Sequence, residues 1–240
     1  MKERPIIFSG PMVRAILEGR KTQTRREVKP RGIDHASIAF TGWTGEGDAR
    51  RAIFNAVQIP GPAGYLRCPH GVPGDRLWVR EAFWQASRYP STMPSGEPES
   101  PSECWGDLVH YAADGDPPNT PNRTYPQGLR GGSLAAPDPY ASWHKRSPIH
   151  MPRKLSRITL EIESVRVQRV QDISEDDAVA EGVTESRGTA GDCYERVTAK
   201  ENYAWLWDSI HGPGSWNANK WVWAITFRRV KACEEVNRGR

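Results

Sequence analysis

The chain has 240 residues, enough for one large domain or two small ones and for a buried core. Hydrophobic residues make up 37%, and 22 glycines with 20 prolines predict a folded chain with much loop. The net charge of +4 comes from 33 basic and 29 acidic residues, too weak a surplus to argue by itself for nucleic acid. No run approaches the ~20 apolar residues of a membrane helix. The opening MKERPIIFSGPM is too charged and too briefly apolar for a signal peptide. No membrane partner is expected.

Residues 5–8, PIIF, predict a short buried strand. Ser9-Gly10-Pro11 then reads as a helix start, with Met12, Val13, Ile16 and Leu17 at helical spacing and Gly19 as the stop. Arg20 to Val28 favours a strand. From Lys29 to Pro73 no period holds, apart from a short strand candidate at 52–57. Gly74-Asp75 is a turn, and residues 76–83 alternate as a strand. Residues 86–140 are rich in Pro, Ser and Gly and read as a partly mobile surface excursion, interrupted by a strand candidate at 108–112.

The longest strand signal runs from Ile158 to Val170. Ile158, Leu160 and Ile162 alternate, and Val165 and Val167 follow one residue out of phase. Such a slip predicts a β-bulge near Glu163-Ser164. Ser174 then caps a helix whose first turn is acidic and which Gly182 stops. A second polar excursion spans 184–198. Tyr203, Leu206, Trp207 and Ile210 mark an amphipathic helix. Trp221, Trp223, Ile225 and Phe227 alternate in a last strand, and a charged tail follows Val230.

Strands and helices do not alternate regularly, which argues against a doubly wound parallel sheet. Neither a dinucleotide glycine fingerprint nor a phosphate loop is present. The expected fold is α+β: a small mixed sheet, curved or closed into a barrel, with helices packed at its ends. The expected organisation is a single domain over 1–230, with loop-rich insertions at about 30–73 and 86–145 and a tail at 231–240. Cys68, Cys104, Cys193 and Cys233 match no zinc or redox spacing. Cys68-x-His70 is half a metal site without an obvious partner pair. No metal or cofactor is expected, and scattered thiols suit a reducing cytoplasm.

The densest polar segment is Arg20-Lys21-Thr22-Gln23-Thr24-Arg25-Arg26. In a strand, Thr22, Thr24 and Arg26 share one face, and Lys21, Gln23 and Arg25 share the other. A solvated edge strand is the plain reading. Residues 16–26 also resemble the signature of the ASCH domain, a branch of the PUA-like barrel superfamily. There, a helix ending in Gly leads into a Lys-Thr-x-Thr-Arg stretch. Gly74-Asp75-Arg76-Leu77-Trp78-Val79 resembles the family's Gly-Asp-x-Leu strand entry. The helix at 173–182, the aromatic helix at 203–210 and the terminal strand continue the likeness. The two excursions have no counterpart in it. The whole chain also resembles phage and prophage proteins that share the opening segment.

One group of small ASCH proteins hydrolyses N4-acetylcytidine to cytidine and acetate. The resemblance implies Lys21 as general base, Thr24 as nucleophile and Glu181 as proton donor. A Thr hydroxyl needs a base to become nucleophilic. A lysine becomes such a base when burial and neighbouring cations lower its pKa. The negative end of a helix favours the protonated carboxyl that a donor at Glu181 needs. Arg25, Arg26, Glu81, His150, Arg153 and Trp216 are the candidates for holding substrate. Glu81 lies between two tryptophans, His150 and Arg153 lie in a basic Pro-rich run, and Trp216 lies in a loop. The expected activity is amide hydrolysis of an N4-acylated cytosine-type nucleoside; the alternative is an RNA-binding or RNA-cleaving module. The expected partner is accordingly a modified nucleoside or RNA.

Overall fold

Residues 158–170 alternate apolar and polar side chains on either side of a phase slip, and Thr159–Arg169 form the longest strand among the described residues, paired on both sides in the main sheet. The computed structural model describes residues 1–29, 35–47, 50–56, 62–88, 105–138, 141–184, 186–187 and 196–230. The tail from 231, and the parts of the two excursions at 89–104 and 188–195, lie outside the described residues.

In chain order the elements are β1 (Glu3–Ile7), α1 (Gly10–Leu17), β2 (Gln23–Glu27), β3 (Ile38–Thr44), β4 (Arg51–Ala56), β5 (Pro62–Leu66), β6 (Arg76–Arg80), β7 (Phe83–Arg88) and β8 (Trp105–Tyr111). They continue with β9 (Leu129–Arg130), β10 (Ser133–Leu134), β11 (Ala141–Arg146), β12 (Thr159–Arg169), α2 (Glu175–Ala180), β13 (Ser186–Arg187), β14 (Arg196–Val197), α3 (Ala199–His211) and β15 (Trp221–Arg229). The fold is α+β and dominated by sheet. The described strands form open sheets rather than a closed barrel, the main one in the order β1-β6-β12-β15-β2. No helix among the described residues is long and apolar enough to cross a membrane.

The chain divides into two compact units. The first comprises Met1–Pro5, Ala15–Trp78 and Ile158–Arg240. β12 pairs antiparallel with β15 along its whole length, and the register shifts between Ile162 and Ser164. The phase slip in the sequence is therefore a β-bulge, at the expected place. α2 begins where Ser174 Oγ accepts the Asp177 amide at 3.1 Å. α3 begins with a reciprocal cap between Thr198 and Glu201. Together they bury Ile173, Ala178, Ala199, Tyr203 and Trp207 against Val222 of β15. Each large side chain removed from water there contributes roughly 2–3 kcal/mol.

Residues 38–66, where the sequence has no clear period, form an antiparallel sheet in the order β3-β4-β5. Register shifts at Phe40/Gly42 and Phe54/Asn55 break the alternation that would have revealed it. Phe40 and Phe54 sit 6.3 and 5.9 Å from the Trp221 ring, and Trp43 lies 6.0 Å from Trp223. These aromatic contacts join this small sheet to the end of β15.

The second unit comprises Ile6–Arg14 and Val79–Arg157. Its sheet has the order β11-β7-β8, all antiparallel. Ala86, Ala136, Ala141 and Trp143 form its small core, with Trp84 and Leu134 packed against them. The Pro-rich excursion thus contributes a strand, β8, to a regular sheet.

Candidate functional site

The end of α1 aims the first site residue. Gly19 takes φ +78°, and the Ala15 carbonyl accepts both the Arg20 and Lys21 amides, at 2.9 and 3.0 Å. The chain turns there and enters β2. Lys21 is carried inward and is 2% exposed. Its ammonium donates to Glu181 Oε2 at 2.6 Å, to the Glu181 carbonyl at 2.8 Å and to the Gln23 carbonyl at 2.8 Å. Glu181 is the C-cap of α2, and Gly182 follows at φ +89°. A Cβ at Gly182 would stand 3.1 Å from the Cβ atoms of both Lys21 and Ala15. Glycine there lets the helix end close over the lysine.

Around this pair lies a buried charge network. Arg25 donates to Glu181 Oε1 at 3.3 Å and to Asp177 Oδ2 at 2.7 Å. Asp177 also accepts from Gln23 at 3.1 Å and from Arg166 at 3.1 and 3.2 Å. The Tyr203 phenol is near enough for the Glu181 charge to act on it. Burial is the largest influence on Lys21 and pushes its pKa down; Glu181 resists, and Arg26 and Arg25 push it down further. Burial likewise raises the Tyr203 phenol well above its ordinary value, and the Glu181 carboxylate adds to this. Burial disfavours the charged Asp177 carboxylate, but Gln23, Arg25 and Arg166 outweigh it and hold its pKa below the usual range.

Thr24 is buried on β2 opposite Ile225. The pleat puts its side chain on the face away from Gln23 and Arg25, the two that reach Asp177. Arg26 and its strand partner Trp223 share the Thr24 face. Both line a cavity of about 540 Å³, with Glu27, Val28, Lys29, Leu66, Arg67, Pro69, His70 and His211. The Lys21 ammonium meets Thr24 from the other side, through the Gln23 carbonyl of the peptide bond that joins Gln23 to Thr24.

The structure thus brings Lys21, Glu181 and Arg25 together, and it places Thr24 and Arg26 on the pocket face of the same strand. It treats the other candidates differently. Trp216 packs edge-on against Tyr203 at 6.2 Å, and its amide donates to Asp208 at 2.7 Å, so it serves as a packing side chain. Glu81 belongs to the second unit, where Arg157 grips both its oxygens at 2.9 and 3.1 Å. His150 and Arg153 also belong to that unit, in two successive 3-10 turns, with His150 exposed.

Tyr203, His70, His211 and Trp223 escaped the sequence reading as site residues. Tyr203 and Trp223 carry ordinary core spacing. His70 drew attention only as a possible metal ligand. Among the described residues no group of His, Cys, Asp and Glu is arranged to hold a metal ion. Compared with known proteins, the chain matches no family model, and no curated protein or solved structure is detectably similar to it. The reading of function therefore rests on the site and on the motif resemblance.

Proposed function

We propose that this protein is a PUA-like amidohydrolase that cleaves the exocyclic amide of an N4-acylated cytosine or cytidine-type nucleoside. The observation that carries the proposal is the buried Lys21–Glu181 pair. Burying two opposite charges gains little for stability against an apolar pair of similar volume. A buried lysine with a lowered pKa, hydrogen-bonded to a buried carboxylate, is what general-base chemistry requires.

The pair holds one proton between two atoms 2.6 Å apart. Moving that proton onto the carboxylate yields a neutral amine and a carboxylic acid together. The amine is the base and the acid is the donor. The scheme requires the Lys21 amine to reach the Thr24 hydroxyl from the Gln23 side of β2; Lys21 then takes the hydroxyl proton, and the oxygen bonds to the acyl carbon. The exocyclic C–N bond then breaks, and the leaving nitrogen receives the Glu181 proton. A water hydrolyses the acyl-Thr ester, releases the carboxylic acid and returns Thr24 its proton. Arg25 holds Glu181 in place throughout.

The test is chromatographic: incubate the protein with N4-acetylcytidine and follow cytidine release, beside Lys21→Ala and Thr24→Val. Turnover lost in both variants is the expected result. Turnover that survives in Thr24→Val removes the nucleophile from the scheme. No turnover by the folded protein, with RNA affinity that falls steeply with salt, replaces the hydrolase with an RNA-binding module.

A further inference from the structure

The cavity beside Thr24 has a charge pattern that an uncharged nucleoside leaves unused. Arg26, Lys29 and Arg67 bring three basic side chains to its lining. Its one acid, Glu27, is already engaged: Lys220 donates to it at 2.9 Å, and His35 Nε2 lies 3.5 Å away. His35 accepts the Trp221 amide at Nδ1, which leaves Nε2 to carry the proton toward Glu27. The cavity therefore keeps a cationic surplus along one part of its wall.

The rest of the lining is apolar or aromatic. Val28, Leu66 and Pro69 contribute aliphatic surface, and Trp223 contributes an indole backed by Trp43 at 6.0 Å. His70 and His211 supply ring nitrogens that can donate or accept. The volume of about 540 Å³ lies within the usual range for a small-ligand site. A ligand that fits all of this combines a flat ring for the apolar lining with a compact anion for the basic side chains.

We infer that this pocket binds a nucleoside monophosphate, with the base against its apolar lining and the phosphate held by Arg26, Lys29 and Arg67. Arg26 is half-buried and presents a guanidinium suited to two phosphate oxygens. Lys29 and Arg67 are exposed and complete the basic lining. Cytosine as the base rests on the hydrolase reading; the phosphate rests on the pocket alone. Binding is therefore measured instead of turnover, so the two readings can fail separately.

The experiment is isothermal titration of the full chain with cytidine, cytidine 5′-monophosphate and orthophosphate at one salt concentration. The monophosphate is expected to bind about tenfold or more tighter than cytidine, because its phosphate makes charge-assisted hydrogen bonds that cytidine lacks. It should also outbind orthophosphate, which has no ring for the apolar lining. Lys29→Ala/Arg67→Ala alters only exposed side chains, and circular dichroism checks that the fold persists. In that variant the monophosphate should lose most of its advantage while cytidine affinity stays unchanged. Equal affinity for cytidine and the monophosphate overturns the inference. So does a preference that survives the double substitution, or orthophosphate binding as tightly as the monophosphate.

Discussion

Each unit of the molecule builds one network from basic side chains and two carboxylates. In the first unit Lys21 and Arg25 meet Glu181 and Asp177. In the second, Arg157 meets Glu81 at 2.9 Å and Asp114 at 2.6 Å. The Lys21 side chain is 0% exposed, whereas that of Arg157 keeps 24% in contact with solvent. Arg157 also stacks over Tyr111 at 4.0 Å. A guanidinium stays charged at any working pH, and its planar fork suits two carboxylates at once. An ammonium driven out of water can give up its proton. The second network is therefore a permanent clamp, and the first contains a group able to do acid–base chemistry. The difference lies in the cation and its burial, since each network has two acids.

The strongest way to break this contrast is Lys21→Met. Removing one partner of a buried pair costs about 3–5 kcal/mol. Arg25 still serves Glu181, so the lower end of that range is expected. Urea denaturation measures the loss. Adding Glu181→Leu should recover part of it, because the orphaned carboxylate is gone. In the proposed hydrolysis, activity should fall by at least about a hundredfold in both variants, the loss expected if Lys21 is its general base. Stability restored without activity would separate the chemical role from the structural one.

Arg157→Ala tests the clamp. It leaves the Glu81 side chain, 2% exposed, without its guanidinium. A loss of about 2–4 kcal/mol is expected, below the ceiling for a sealed pair because Arg157 is partly solvated. Arg157→Lys should recover little, since one ammonium cannot bridge two carboxylates with the same geometry. Full recovery by lysine would erase the distinction between the networks.

These networks were unequally legible in the sequence. The bulge in β12, the Ser174 cap and the existence of β15 follow from local pattern, and the structure repeats them, although β15 is buried on both faces over Val222–Ile225 instead of alternating. The Lys21–Glu181 contact spans 160 positions, and no local period encodes it. Motif resemblance alone pointed to both ends. Arg25 was expected to hold substrate, yet it is turned inward by Asp177, a residue that read only as part of an acidic helix start. The sheet β3-β4-β5 was hidden by its two register shifts, and the clamp on Glu81 by the 76 residues that separate it from Arg157. Long-range electrostatics and broken periods are what a pass along the chain does not reveal.

A smaller effect sharpens the contrast through pH. His70 lies in the first unit, and burial, followed by Arg26 and Arg4, pushes its pKa down to about 4 from the ordinary 6.5. Between those values the unfolded chain binds a proton that the folded chain refuses. Stability therefore falls as pH drops from 6.5 to 4 and is fully retained above that window. The limb is worth about 3 kcal/mol. His144 and His211, whose pKa values burial also lowers, titrate in the same sense and steepen it. His70→Gln removes the first contribution, so the stability profile from pH 7 to 4, followed by urea midpoints, should flatten by about that amount. An unchanged slope would mean that His70 is solvated enough to take its proton in the folded state.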